Sequence, residues 1–469
     1  MTLFGLLKLG ECRLLPRVAE DLLPKKLFDE TVAEILLSPC DAEEILARQA
    51  LLAAFLEPKR QEALRTALQA LLELERAHAK LCRAEQPLER FFLHARLLRA
   101  YLKACRALQT LGDCGPRGQR LAKEITAQAE LETVEEILSS MEKELAPLQR
   151  FSLSVVDKVW LTADAPKTYA QRFGEAADAL GLPTPAPREL GLPLTAELSQ
   201  GVLQLHPHQG AALERLREAC PTLDIPALTQ LIPQFRFCFA ICDLVEKARA
   251  RNIPHCFPVL SSTPRFTAEG LYDISLLATD CPRIVPNDLY FTPGERFFFL
   301  TGANGGGKTS YLRAVGVNLL LLLAGCPVFA RHAVGYPFSA LLTHFPSDER
   351  FSSQGRLDEE KARVKELLSH GEEQTLVLLN ETFSGADEAT GCDLAIQTAK
   401  RIQERGWFGL FVTHFHRVRE EDFLLLNTET GENHARTFRI LRDFGLRSSF
   451  ANTILKKYGL DEAALQRRG

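Results

Sequence analysis

The stretch Arg296–Ala324, RFFFLTGANGGGKTSYLRAVGVNLLLLLA, constrains this chain more than any other. Phe297, Phe298, Phe299 and Leu300 form a short apolar run of the kind that makes a buried central strand. Gly302, Ala303, Asn304, Gly305, Gly306, Gly307, Lys308 and Thr309 follow at once and fit G-x-x-x-x-G-K-[ST]. An apolar helical stretch then runs on from Ser310. Strand, glycine loop and helix is the context in which this motif holds phosphate. The glycines let backbone N–H groups turn inward around an anion, and the helix N-terminus adds partial positive charge. In that arrangement Lys308 reaches the β- and γ-phosphates and the Thr309 hydroxyl ligates Mg²⁺. A chance match in a glycine-rich turn is the bland alternative, and correct flanks on both sides argue against it. The loop predicts a nucleoside triphosphate site with Mg²⁺; which base it takes is not read from the loop.

At 469 residues the chain should hold more than one domain, because single cores seldom grow past about 250–300 residues. Its 46% hydrophobic and 25% charged residues are ordinary for a globular protein. A net charge of -4 gives no global basic footprint, so a nucleic-acid partner would need a local basic surface. The 12 cysteines show no C-x-x-C pair and no metal-type spacing. Cys238 and Cys242, at i and i+4, read as core residues on one helix face, and the pattern suits a reducing cytosol. Lys8 and Glu11 interrupt the apolar N-terminus where a signal segment should be unbroken, and the run around Leu319–Ala324 is too short to cross a bilayer. The expectation is a soluble, intracellular, cytoplasmic protein with no membrane partner.

From Ile35 to about Leu148, heptad-type apolar spacing predicts long amphipathic helices, broken near Cys114–Gly118. Their charge runs read as solvated faces with i,i+4 pairs. Residues 151–221 change character. FSLSVVDKVWL reads as a strand and LGLPTPAPRELGLPLT is proline-rich, which leaves a small insertion or a linker open. Helix resumes with PALTQLIPQFRFCFAICDLVEKARARN and ends before Pro254. Beyond it, GERFFFLT, QTLVLLN and WFGLFVTHF are brief apolar strands separated by helical stretches, which predicts a largely parallel, helix-covered sheet. The expected fold class is multidomain: an all-α helical region over 1–254, then an α/β P-loop domain over 255–469.

Two further strands complete the constellation. Thr375–Leu379 is apolar and ends in Asn380 and Glu381. In P-loop ATPases such a strand delivers an acidic residue to the Mg²⁺ shell. Here Asn380 stands in that place; its amide oxygen can take a hydrogen bond from a metal-bound water but carries no charge. Glu381, next along, is the candidate general base. Leu410–Val412 ends in Thr413 and His414, a candidate γ-phosphate sensor. A lone histidine at a strand end is more often a cap or core residue; following the loop and Glu381 in order, it reads as functional.

In this order and spacing the elements resemble the ATPase domain of the MutS family of mismatch-repair-type proteins, an ABC-like P-loop domain. The resemblance runs from about Arg251 to Leu460 and includes TGANGGGKTSYLRAVG and VTHF. It implies that Ile284, Val285 and Asn287 lie in the segment that contacts adenine. It also implies that Gly355 and Arg356, with Ser384, Gly385 and Asp387, form dimer-interface loops. AICDLVEKARARNIPHCFPVL resembles the end of that family's helical core and lever, so a homodimer that moves a lever pair around DNA is the implied assembly. No room is expected for mismatch-reading and connector domains before the helical region, nor for a nuclease domain after the last helix. Phe-x-Glu occurs at Phe28–Glu30, Phe55–Glu57 and Phe173–Glu175, as chance allows with 28 phenylalanines.

Two positions depart from the family pattern: Leu357 where a serine follows Gly-Arg, and Asn380 for an aspartate. They favour slow hydrolysis and leave room for another class, a nucleotide-gated scaffold whose helical half binds protein. An ABC-type or chromosome-maintenance ATPase would need a serine-rich signature ahead of the acidic strand, and none is present.

Overall fold

The computed structural model describes residues 7, 14, 16–128, 130–149, 152–155, 159–162, 169–182, 195–279, 281–345, 353–431 and 435–443. The chain divides into two compact units, Ala53–Phe239 and Leu7–Leu52 with Ala240–Gly469. The N-terminal segment carries α1 (Pro16–Leu22), α2 (Glu30–Leu36) and most of α3 (Ala42–Phe55).

The helical unit continues with α4 (Pro58–Arg83), α5 (Pro87–Gln109), α6 (Gly115–Gln128) and α7 (Leu131–Leu148). Pro58 and Pro87 start their helices where the missing N–H has no helical partner to lose. Leu64, Ala67, Leu71, Leu74 and Ala77 bury one stripe of α4 at three- and four-residue spacing. The break expected near Cys114 is present: a 3-10 turn over Thr110–Asp113 closes α5, and Gly115 opens α6. The strand expected over FSLSVVDKVWL is a hairpin, β1 (Ser152–Val155) antiparallel to β2 (Val159–Thr162). Helices α8 (Tyr169–Ala179), α9 (Ala196–Leu205), α10 (Pro207–Ala219), α11 (Ile225–Thr229) and α12 (Ile232–Ala250) follow. The proline-rich residues 183–194 lie outside the described residues.

Among the described residues, Ile225–Ala250 alone has the length and apolar composition of a membrane span. Phe235, Phe237, Cys238, Ile241, Cys242 and Val245 are at most 1% exposed, so that apolar content belongs to the protein core.

In the second unit the elements are β3 (Val259–Leu260), β4 (Phe266–Leu271), β5 (Asn287–Phe291), β6 (Phe297–Thr301), α13 (Lys308–Leu323), β7 (His332–Gly335) and β8 (Ala340–His344). Then come α14 (Ser353–Ser369), β9 (Thr375–Asn380), α15 (Glu388–Glu404), β10 (Phe408–Val412), β11 (Leu424–Thr430) and β12 (Arg436–Asp443). The expected final helix lies outside the described residues. A six-stranded sheet has the order β12-β11-β6-β10-β9-β8, parallel except for the antiparallel edge strand β12. A smaller sheet has the order β3-β7-β4-β5. The expected apolar strands are thus β6, β9 and β10, side by side at the centre. Their pleat sends Phe297 and Phe299 to one face, stacked edge-on at 5.2 Å, and Phe298 to the other against Phe291. On the first face Val364, Leu367 and Leu368 of α14 and Ala395, Ile396, Ala399 and Ile402 of α15 close the core. Helix α13 is buried nearly all round.

The division departs from an all-α region over 1–254, because residues 7–52 pack on the α/β unit and the boundary falls between Phe239 and Ala240. Polar contacts show why. Thr343 Oγ1 donates to Asp21 Oδ2 (2.7 Å) and Cys40 N to Leu323 O (3.0 Å). Arg48, fully buried with Glu44, donates to Ala324 O at the C-terminus of α13 (3.2 Å). A guanidinium there satisfies a helix-end carbonyl and complements its partial negative charge.

Asn318, wholly buried on α13, donates to Tyr272 O (3.0 Å) and Ala314 O (2.8 Å) and accepts from Phe329 N (2.7 Å). Asn318→Leu keeps the branching at Cγ, adds some volume, and strands a buried N–H and a carbonyl. It should cost about 2–4 kcal/mol in urea unfolding; an unchanged midpoint would show that these bonds contribute nothing.

Candidate functional site

Register brings the site to one edge of the sheet. Val412 of β10 pairs with Leu300 of β6 and with Asn380 of β9, and Leu426 of β11 pairs with Leu300. Gly302, Glu381 and His414 therefore leave the sheet at one level, beside Thr428, which is still within β11. The carboxyl ends of parallel strands are where open α/β sheets place ligands, since loops and helix N-termini converge there.

The glycine loop runs from β6 into α13. Gly302 has φ +122°, a conformation that side chains rarely adopt, and a Cβ there would lie 2.1 Å from Thr428 Oγ1. That hydroxyl accepts the Ala303 N–H (3.1 Å) and ties the loop to β11. The N–H groups of Lys308, Thr309 and Ser310 open α13 and have no acceptor in the helix's own ladder. Lys308 is 4% exposed; its Nζ donates to Gly302 O (2.9 Å), Ala303 O (3.3 Å) and Asn304 Oδ1 (3.3 Å). Burial pushes its pKa down from the ordinary lysine value, and the negative charge of Glu381 opposes that shift.

Thr309 Oγ1 donates to Asn380 Oδ1 at 3.2 Å, so two neutral oxygens meet at the end of β9. A hard cation such as Mg²⁺ prefers oxygen donors, and this pair fits one, with the carboxylate charge coming from the neighbouring Glu381. Glu381 and Phe383 have φ of +48° and +68°. Non-glycine residues held there carry backbone strain of about 1–3 kcal/mol, which persists where surrounding contacts over-determine the turn. Here Glu381 N donates to Val412 O (2.8 Å), and Phe383 is 2% exposed in the core. His414 is exposed, carried between buried Thr413 and Phe415, and Thr413 N donates to Leu300 O (3.0 Å).

Ile284 and Val285 are half-buried. Asn287 does something sequence reasoning missed: its Nδ2 donates to Phe438 O (3.1 Å) and its Oδ1 accepts from Ile440 N (2.7 Å). These bonds pin a bulge in β12, where the register jumps from Thr428↔Ile440 to Thr430↔Arg436. Phe438, at φ +60° and 44% exposed, packs beside Gly307, while the Arg436 guanidinium lies against Gly305. Nothing in the sequence of Arg436–Asp443 marks a bulge facing the loop.

The other sequence-predicted residues are distributed differently. Gly355 and Arg356 fall in the first turn of α14, where a loop was expected, and their side chains lie outside the described residues. Leu357 packs on the core next to the sheet. Ser384, Gly385 and Asp387 form the turn after β9; the Asp387 carboxylate accepts the Thr390 N–H (3.0 Å) and caps α15, and that bond holds its pKa low. Phe28 and Phe55 of the Phe-x-Glu matches are buried core residues; the Phe173 side chain lies outside the described residues.

A family model described as MutS domain V matches residues 298–465, which include the loop, Asn380, Glu381 and His414. A mitochondrial DNA mismatch repair protein MSH1 of Arabidopsis thaliana is 27% identical over 181 residues, 37% of this chain and 16% of that protein. The DNA mismatch repair protein MutS of Lactobacillus delbrueckii subsp. bulgaricus is 27% identical over 216 residues, 45% of this chain and 25% of that protein. An endonuclease MutS2 of Solidesulfovibrio magneticus is 34% identical over 134 residues, 28% of this chain and 17% of that protein. The matches span a quarter or less of the length of these relatives.

Gly302→Ala should displace the loop from Thr428, because it adds both a strained φ and a clash. Faster amide exchange at 302–307 and a loss of about 1–3 kcal/mol in urea unfolding are expected. Wild-type exchange in the variant would refute the tether.

Proposed function

Because the chain is a divergent member of the MutS family, matched through its domain V, we propose that its C-terminal unit binds and hydrolyses ATP with Mg²⁺. The process it serves is DNA mismatch repair or related DNA maintenance. One observation carries the reading: Thr309 of the glycine loop bonds Asn380 at the end of β9, and the charge of Glu381, next along, acts on Lys308. Loop N–H groups and the Lys308 ammonium bind the phosphates, exchanging the carbonyls that Lys308 now holds. Thr309 and, through water, Asn380 would hold Mg²⁺, which supplies neutralising charge when bound. Glu381 takes the proton of the attacking water, and His414 senses the γ-phosphate. Ile284, Val285 and Asn287 flank the base.

In the same reading the chain works as a homodimer. Gly355, Arg356, Ser384, Gly385 and Asp387 face the partner, and nucleotide state is linked to movement of the helical unit on DNA. With an overall charge of -4, DNA contact requires a local basic surface, and contacts to the phosphate backbone make binding steeply salt-dependent. A second reading, a nucleotide-gated scaffold that hydrolyses poorly and binds protein through its helical half, is favoured by Asn380 and Leu357.

Steady-state hydrolysis separates the two. Glu381→Ala should lower kcat by about 10²–10⁴-fold, the range for loss of a general base, while nucleotide binding persists. Lys308→Met should abolish binding itself and leave the ligand-free melting temperature no lower, since it removes a buried charge. Wild-type turnover equal to that of Glu381→Ala would replace the enzyme reading with the scaffold. A charged ligand at position 380 should bind the cation more tightly, so Asn380→Asp should lower the Mg²⁺ concentration needed for half-maximal nucleotide binding. An unchanged Mg²⁺ titration would remove residue 380 from the metal shell. For DNA, the deciding measurement is a salt titration with matched, mismatched and branched duplexes, with and without ATP; negligible affinity for all would end that part of the proposal.

A further inference from the structure

The glycine at position 305 is not demanded by G-x-x-x-x-G-K-[ST], which leaves that position free. The structure supplies a reason for it. Gly305 has φ +69°, and a Cβ there would lie 2.6 Å from Arg436 Nη1, 2.9 Å from Cζ and 3.2 Å from Nη2. The room left by the missing side chain is filled by the Arg436 guanidinium. Arg436 comes from β12, far along the chain, and is exposed. Its backbone is firmly set: it pairs with Thr430, and the bulge that follows is held by Thr437 Oγ1 on Glu429 O (2.9 Å) and by the two Asn287 bonds.

The electrostatics of the arrangement are one-sided. Lys308 and the N-terminus of α13 already make the loop positive, and Glu381 is the carboxylate that acts on Lys308. Among the described residues Arg436 forms no ion pair or side-chain hydrogen bond. The nearby Arg419, by contrast, is held by Thr301 Oγ1 (2.9 Å) and Asp443 (3.6 Å), and Arg442 by Glu295 (2.5 Å). An unneutralised cation set against a positive loop is unfavourable until an anion lies between them. A guanidinium suits that anion, since its planar fork matches the paired oxygens of a phosphate.

We propose that Arg436 is a second phosphate-binding cation of this site, supplied in cis by the β11–β12 hairpin, which binds the polyphosphate of the nucleotide held by the loop. The inference rests on the nucleotide reading above. Its consequence is that the hairpin responds to bound nucleotide, because one of its side chains is a ligand of the phosphates.

The test uses the full chain and fluorescent ATP and ADP analogues, with tripolyphosphate as a competitor that lacks base and sugar. Arg436→Gln should weaken both nucleotides and tripolyphosphate tenfold or more without changing the melting temperature. Arg436→Lys should fall between it and wild type, and Arg439→Gln, an exposed charge in the same bulge, should stay within twofold of wild type. If Arg436→Gln binds within twofold of wild type while Lys308→Met abolishes binding, the inference is wrong and the loop reading stands. A loss confined to the nucleotides, with tripolyphosphate unaffected, overturns it too, since the contact would then be to base or sugar. A wild-type chain that binds none of the three ligands removes the loop reading and this inference together.

Discussion

Everything at the candidate site hangs on the burial of α13. The helix is apolar on nearly every side, so it cannot rotate or slide without exposing core surface. Its position is then refined by polar contacts that tolerate little displacement. Asn318 bonds it to the Tyr272 and Phe329 backbone, and buried Arg48, paired with Glu44, donates to the Ala324 carbonyl at its C-terminus. A helix fixed at its C-terminal end and along its length delivers its N-terminus to one place. The glycine loop inherits that position, and with it the direction of the N–H groups and of Lys308.

The second constraint is the sheet register. Glu381, His414 and Thr428 come from segments that share little sequence proximity with the loop, yet each follows a residue paired to its neighbour strand at the same level. A slip of one residue in β9 would turn Asn380 to the opposite face and separate it from Thr309. The fully buried pattern of Thr375–Asn380 and Phe408–Val412 prevents that, because both faces of these strands are packed. Strain is concentrated just beyond the paired residues, at Glu381 and Phe383, where the turn brings a carboxylate toward the loop against the preference of its own backbone.

Much of this was legible without coordinates. The three central strands, the helix after the loop, the break before Gly115 and the core role of Cys238 and Cys242 follow from local periodicity and turn chemistry, which act over a few residues. That the glycine loop and the ends of β9 and β10 lie together was legible because neighbouring parallel strands end on the same side of a sheet. What was missed involves long sequence separation. Residues 7–52 look like more of the helical region because their pattern is helical, and only the match of Asp21, Cys40 and Arg48 to partners some three hundred residues away assigns them to the α/β unit. Gly355 and Arg356 read as a loop but stand in a helix, where the following Leu357 finds apolar cover.

By itself the sequence determined a strand–glycine loop–helix unit, a parallel sheet around it and the residue types that chemistry at its edge would use. These depend on side-chain period, on glycine's freedom at positive φ and on the short-range geometry of one motif. Only the tertiary structure decided which helices complete the α/β unit, and that β12 bulges toward the loop under the hold of Asn287. It also decided that Arg436 occupies the space Gly305 leaves. Those outcomes depend on which distant surfaces fit and which buried polar groups find partners, and no local pattern carries that information.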